Sequence, residues 1–287
     1  MVHRVIVTRP AHDAGVWVAK LQQSGLQAQA LPLIEIAPVS HLADVTALAQ
    51  ARNRLGEYAA CMFVSSNAVE HFFWPLLRSN TAMAQSLYAS VAINNVAYEI
   101  PRHVRFLAPG PATGAALLAA GVAASQIDSP PPDAAQFDSE ALWQVIGQRD
   151  WRDAAVLVVR GRGDASTDST GTGRDWLMQQ WRAGDCQVDV VSSYERRTPQ
   201  LTAAQLELAR AASCDGSVWL FSSSEAVTNL VQQPGLRAVS WQRAQAIATH
   251  PRIQAAALAA GWGVVHLSRP ALDDIASALA SIESSEP

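Results

Sequence analysis

Short runs of consecutive apolar residues alternate along this chain with segments whose apolar positions recur at helical spacing. Val5 to Val7, Cys61 to Val64, Val156 to Val159 and Val218 to Phe221 are of the first kind. Strands covered on both faces read this way, because neither side calls for a polar residue. The intervening segments are bounded by glycine: VWVAKLQQSG reaches Gly25 and DWLMQQWRAG reaches Gly184, the residue that most readily closes a helix. The pattern predicts βα units around parallel sheets. Two stretches depart from it. ALPLIEIAPV (Ala30 to Val39) and CQVDVVSSYERRTP (Cys186 to Pro199) run well past the usual five or six residues of a strand, and they predict strands that leave one sheet and travel to another body.

The same pattern occurs twice. FVSSNAV, from Phe63 to Val69, returns as FSSSEAV from Phe221 to Val227, 158 positions on. VIVTR (Val5 to Arg9) pairs with VLVVR (Val156 to Arg160), GPATGAALLAAG (Gly110 to Gly121) with HPRIQAAALAAG (His250 to Gly261), and FDSEALWQVI more loosely with LDDIASALAS. Alanine-rich matches arise easily in such a composition, but these stand in one order with the serine heptads, which marks a duplicated fold. A cut based on the repeats alone falls near residue 150.

The length of 287 residues agrees with about two domains, and 49% hydrophobic against 16% charged residues supplies material for two cores. No apolar run approaches the roughly 18 residues of a membrane span, and the amino terminus runs directly into a strand, so cytoplasmic residence is expected. Three cysteines, Cys61, Cys186 and Cys214, are widely spaced among apolar neighbours and read as buried packing groups, neither a disulfide framework nor a metal cluster. The net charge of −4 without a basic block argues against nucleic-acid binding. Lys20 is the only lysine, so arginine carries the cationic chemistry, and its forked guanidinium suits carboxylates.

In open α/β sheets ligands bind beyond the carboxyl ends of the strands. The residues at those ends are Thr8 and Arg9; Ser65, Ser66 and Asn67; Arg160 and Gly161; and Ser222, Ser223 and Ser224. Two helix openings join them, one from Gly110 to Thr113 and one at His250 to Arg252. Serine or asparagine before a helix is first an N-cap, worth about 1 kcal/mol. The same helix openings attract anions, and several together would hold a polyanion without a basic surface. HExxH, GxSxG, CxxC and strand-following GxGxxG motifs are absent. The nine tryptophans lack interleaved basic residues and read as core. GRGDASTDSTGTG, from Gly161 to Gly173, reads as a flexible polar insertion; as a phosphate cradle it lacks the GK[ST] ending. Tyr194, near the end of the second long stretch, reads by itself as a ring that packs while its hydroxyl stays wet.

Taken in order, VTRP, LPLIEI, FVSSNAV, GPATGAALLAAG, DSEAL, LVVRG, VDVVSSYERR (Val188 to Arg197), FSSSEAV and PRIQAAALAAG resemble the uroporphyrinogen-III synthase family along nearly the whole chain. The resemblance implies two similar flavodoxin-like α/β domains, each on a parallel sheet, joined by a two-stranded antiparallel linker. One domain would comprise residues 1–37 with 198–287, the other 38–197. It implies closure of the linear tetrapyrrole hydroxymethylbilane to uroporphyrinogen III, with loss of water and inversion of the final ring, by a cytoplasmic enzyme that uses no cofactor or metal and needs only a monomer. The preceding bilane-forming enzyme would be a partner that hands over the substrate. By the same resemblance Tyr194 assists departure of the hydroxyl. Thr113, Ser65 and Ser222 or Ser223 match further family positions, and a phenol, protonated at neutral pH, can donate. Arg9 and Arg160 suit the carboxylates of the substrate, with Ser66, Asn67, Gly110, Gly161, Ser224 and Arg252 beside them. Two readings of other classes stand against this one: a two-domain anion-binding or sensing protein without catalysis, and a group-transfer enzyme using nucleotide sugars.

Overall fold

The computed structural model describes residues 4–77, 100–134, 136–163 and 173–284. The chain begins β1 (Val5–Val7), α1 (Ala11–Gln23), β2 (Ala28–Ala30), β3 (Glu35–Pro38), α2 (Leu42–Asn53), β4 (Ala60–Phe63), α3 (Ser66–Leu77), β5 (Arg105–Leu107), α4 (Pro111–Ala119) and β6 (Ile127–Asp128). It continues with α5 (Ser139–Ile146), β7 (Ala155–Arg162), α6 (Gly173–Ala183), β8 (Gln187–Arg197), α7 (Ala203–Ala212), β9 (Val218–Phe221), α8 (Ser224–Val231), β10 (Gln245–Ala248), α9 (Pro251–Ala259), β11 (Val264–Leu267) and α10 (Leu272–Ser284). The division into compact units is Met1–Glu35 with Arg197–Pro287, and Ile36–Arg196. A cut near residue 150 coincides with neither boundary.

The first unit holds a five-stranded sheet in the order β2-β1-β9-β10-β11, every neighbouring pair parallel. The second holds β6-β5-β4-β7-β8-β3, parallel throughout from β6 to β8. The repeats explain both orders. Matching β1 with β7, β2 with β8, β9 with β4, β10 with β5 and β11 with β6 superimposes one order on the other. Each repeat therefore gives two of the matched strands to one sheet and three to the other, and β3, which has no counterpart in the match, adds a sixth strand to the second sheet.

Strand faces follow the period-two rule. In β4, Cys61 and Phe63 pack with Phe72, Phe73 and Phe106, whereas Ala60 and Met62 pack with Trp151, Leu177 and Trp181. In the first unit Val5, Val7, Val218 and Leu220 face Leu21 of α1 and Ile275 and Leu279 of α10. Trp219 and Phe221 point the other way, into an aromatic group with Trp241 and Trp262. Continuous apolar strands need such cover on both sides.

Three details differ from the sequence reading. Ala30 to Val39 is not one long strand: β2 ends at Ala30 and β3 begins at Glu35, and Pro32, between them, has no N–H for a ladder. The second long stretch does form a single strand, β8, of 11 residues. Cys214 is exposed while Cys61 and Cys186 are buried, because it follows the end of α7, where its thiol reaches the Ala211 carbonyl. The helix closing at Gly25 does so in the left-handed region, at φ +81°. At the other predicted closure it is Asp185, φ +56°, that turns left-handed and not Gly184. Residues 164–172 of the Ser/Thr/Gly loop lie outside the described residues.

Candidate active site

In the second unit the sequence-selected residues lie in the carboxyl-terminal parts of β7 and β8 and just past the ends of β4 and β5. Ser65 follows β4 and precedes α3, and its Oγ accepts the Ala68 N–H at 3.2 Å, an N-cap bond that satisfies one of the free donors of a helix start. Its hydroxyl also lies 3.1 Å from that of Tyr194, and either oxygen can be the donor. With the Ala68 N–H occupying one lone pair of Oγ, the serine proton is available to Tyr194, and the phenolic O–H is then left to donate elsewhere. Ser66 and Asn67 form the first turn of α3, both half-buried.

Tyr194 exposes only 4% of its surface. Its ring lies against Gly161, where an added Cβ would stand 2.5 Å from Cε2 and 2.8 Å from the hydroxyl oxygen. Only a residue without a side chain leaves that room. The His71 ring is 5.8 Å from the Tyr194 ring between centroids, tilted by 31°. Burial and, secondarily, the nearby Arg52 guanidinium lower the His71 pKa from its ordinary value, so the imidazole is neutral at pH 7. Arg52 is itself buried and donates to the carbonyls of Phe72 (2.8 Å) and His71 (2.7 Å). At the next helix opening Gly110 precedes Pro111 as the N-cap of α4, and Thr113 is buried in the first turn.

The first unit carries the equivalent rim. Ser223 caps α8 by accepting the Glu225 N–H at 3.2 Å, between half-buried Ser222 and exposed Ser224. His250 caps α9: its Nδ1 accepts the Arg252 N–H at 3.1 Å, and Arg252 itself is exposed. Arg9 lies just past β1 with its guanidinium carbon 4.4 Å from the Trp17 ring centroid, within cation–π range. Burial lowers its pKa and the charge of Asp13 partly restores it.

Arg9 and Arg160 occupy matching positions of the two repeats, and Nε of each is buried without a hydrogen-bond partner among the described residues. A buried donor left so is costly, which suits a group kept for a ligand. Other arginines serve the scaffold. Arg105 and Arg149 both clamp Asp128 at the end of β6, with contacts of 2.5 to 2.9 Å. Burial works to raise the Asp128 pKa, but the two guanidinium partners hold the carboxyl below its ordinary value.

Thus the structure collects Ser65, Gly161 and Tyr194 into direct contact. It sets Ser66, Asn67, Gly110, Thr113 and Arg160 on the strand ends and helix openings of the same unit, and Arg9, Ser222, Ser223, Ser224 and Arg252 on those of the other. Sequence reasoning misses two neighbours of Tyr194: His71, an isolated histidine by spacing, and Ser193. The available signal for Ser193 is its adjacency to Tyr194 in the SSY triplet. Among the described residues, no group of three or more His, Cys, Asp or Glu could hold a metal ion, and no helix is long and apolar enough to cross a membrane.

Residues 15–277 match the family model described as uroporphyrinogen-III synthase HemD. A segment of 77 residues is 36% identical to the uroporphyrinogen-III synthase of Chlorobaculum parvum, and that segment spans 26% of this chain and 27% of the relative. Among solved structures, a mutant uroporphyrinogen III synthase from the extremely thermophilic bacterium Thermus thermophilus is similar over 99% of this chain and 100% of that chain, with TM-score 0.57 and 12% identity. The uroporphyrinogen-III synthetase of Helicobacter pylori is similar over 98% and 99%, with TM-score 0.51 and 14% identity. At these identities the structural likeness speaks for the fold, and the family match over most of the length speaks for descent: this chain belongs to the uroporphyrinogen-III synthase family.

Proposed function

We propose that this chain closes hydroxymethylbilane to uroporphyrinogen III, with loss of water and inversion of the final ring. The observation that carries the proposal is the family match over residues 15–277. The part-buried Ser65–Tyr194 hydroxyl pair supports it as a chemical centre. The pyrrole nitrogen lone pair expels the terminal hydroxyl, which takes the Tyr194 proton and departs as water. The azafulvene left behind is attacked by the α-carbon of the final ring that already carries a bridge, giving a spiro intermediate. The old bridge bond then breaks to leave a second azafulvene, which bonds to the other α-carbon of that ring, and the proton lost from this carbon restores the tyrosine. Azafulvene closes unaided to the wrong isomer, so the greater part of catalysis is positioning. Arg9, Arg160 and Arg252 serve as carboxylate partners. Ser66, Asn67, Gly110, Thr113, Gly161, Ser222, Ser223 and Ser224 contribute hydroxyl and amide donors, each at its own strand end or helix opening.

The strand order common to both sheets, with the second strand outside the first and the third to fifth following, supports reading each unit as flavodoxin-like. The chain passages near residues 35 and 197 support a two-stranded antiparallel linker and domains close to 1–37 with 198–287, and 38–197. Family membership supports a cytoplasmic monomer that receives its substrate from the preceding bilane-forming enzyme. The deciding assay supplies freshly made hydroxymethylbilane and separates the uroporphyrin isomers after oxidation. Type III isomer above the uncatalysed background is expected. Type I alone, at the uncatalysed rate, would overturn the proposal and favour a protein that only binds anions.

A further inference from the structure

A regular strand would not bring Tyr194 to Ser65. Along β8, Val188 packs with the cluster of Trp181. Asp189 accepts from the Tyr58 hydroxyl at 2.9 Å and Val191 packs with Phe63 and Phe72 on the opposite side. Strict alternation would continue Ser193 onto the α3 side and turn Tyr194 away from it. The register shows why this does not happen. Arg160 stands opposite Ser192 and Gly161 opposite Tyr194, so Ser193 is an extra residue, a bulge in a parallel pair. One inserted residue flips every side chain that follows to the other face, and Tyr194 joins the cluster of Val191 and Phe72.

The inserted residue is fastened. Ser193 exposes 2% of its surface, and its Oγ donates to the Ala68 carbonyl at 3.2 Å. The N–H of Ala68 in turn donates to Ser65 Oγ, which pairs with Tyr194. A closed ring of contacts therefore runs from Ser193 through Ala68 and Ser65 to Tyr194, the neighbour of Ser193 in sequence. We infer that Ser193 is a positioning residue: it locks the β8 bulge onto the first turn of α3 and thereby aims the Tyr194 hydroxyl. The inference rests on the proposed role of Tyr194 for its effect on turnover, but the geometry it asserts can be read without activity.

The test combines Ser193→Ala, and the near-isosteric Ser193→Cys as a second, weakly donating variant, with Tyr194→Phe and the corresponding doubles. In Ser193→Ala, kcat should fall about tenfold with KM within about twofold. In the Tyr194→Phe background the same change should cost less than about twofold, because two residues acting through one hydroxyl are not additive. The protein labelled with 3-fluorotyrosine supplies the second readout. Of the four tyrosines, the 19F signal lost in Tyr194→Phe should shift or broaden in Ser193→Ala and Ser193→Cys, with the other signals unmoved. An unmoved Tyr194 signal, or an equal loss of kcat in both backgrounds, overturns the inference. A chain that forms no type III isomer yet shows the shifted signal keeps the positioning and overturns the proposed function instead.

Discussion

The hydroxyl oxygens of Ser65 and Tyr194 stand 3.1 Å apart, on residues supplied by β4 and β8, which are not neighbours in the sheet. The bond spans β7, the strand between them, where Gly161 leaves the room. Such a contact is conditional on the register of both strands.

Tyr194→Phe should leave the fold intact and lower turnover by about a hundredfold or more, at the lower end of what positioned proton donors contribute. Stability should change by about 1 kcal/mol or less, the usual worth of one hydrogen bond. Isomer-resolved turnover beside a thermal melt checks both halves, and unchanged turnover would remove Tyr194 from the chemistry.

Gly161→Ala places a methyl group against the Tyr194 ring. The ring must move or the strand must open, which costs roughly 1–3 kcal/mol for an overpacked site. Turnover should fall with it. A urea titration that finds wild-type stability would show that the ring has another place to go.

The legible and the illegible parts of this chain have physical reasons. Val5 to Val7 and Val218 to Phe221 can be read as buried strands because their apolar runs are uninterrupted, and the serine heptads expose the duplication. The break in Ala30 to Val39 is hidden because Leu31, Leu33 and Ile34 are buried without belonging to a strand, so hydropathy alone extends the strand through Pro32. The bulge at Ser193 leaves no trace either: alternation in Val188 to Tyr194 is too short to reveal a one-residue slip. Tyr194 enters through family resemblance, and its contact with Ser65 depends on that slip.

Asp128 should govern part of the acid limb of stability. Its carboxyl is held below the ordinary value by Arg105 and Arg149 against the opposing effect of burial, so the unfolded chain binds its proton first as pH falls. Its contribution is complete above the unfolded carboxylate pKa of about 3.9 and disappears as pH drops through the folded value. Asp128→Asn should cost about 1–2 kcal/mol at neutral pH, reduced from a fully buried pair because both arginines are about one-third exposed. Chemical denaturation from pH 7 to pH 3 should show a shallower loss in the variant than in the wild type.

His71 has the same sign at a higher pH. Burial, then the Arg52 charge, lowers its pKa in the folded state, so the unfolded histidine, titrating near about 6.5, binds a proton more readily than the native one. Stability from the neutral imidazole is present above that value and is lost as pH falls below it. Replacing His71 with Gln should flatten the stability profile between pH 7 and pH 5; an unaltered slope would assign that limb to other groups.

Arg9→Gln and Arg160→Gln each remove a guanidinium whose Nε has no protein partner among the described residues. Loss of a charge-assisted contact to a substrate carboxylate should raise KM about tenfold, the equivalent of roughly 1.4 kcal/mol, with a smaller change in kcat. Steady-state kinetics on hydroxymethylbilane separates the two constants, and an unchanged KM would return the arginine to a packing role.

The exchange of strands between the repeats sets a timetable for synthesis. Arg4, at the head of β1, finds Ser217 across 213 positions, and β1 lies directly against β9. During synthesis β1 and β2 must therefore wait, unpaired on that edge, until residues 218–221 emerge. The segment from β4 to β8 can assemble its sheet meanwhile. Contacts so distant along the chain are slow to form, and a truncated chain that ends before β9 leaves β1 and β2 as a two-stranded orphan, the species from which aggregation would begin.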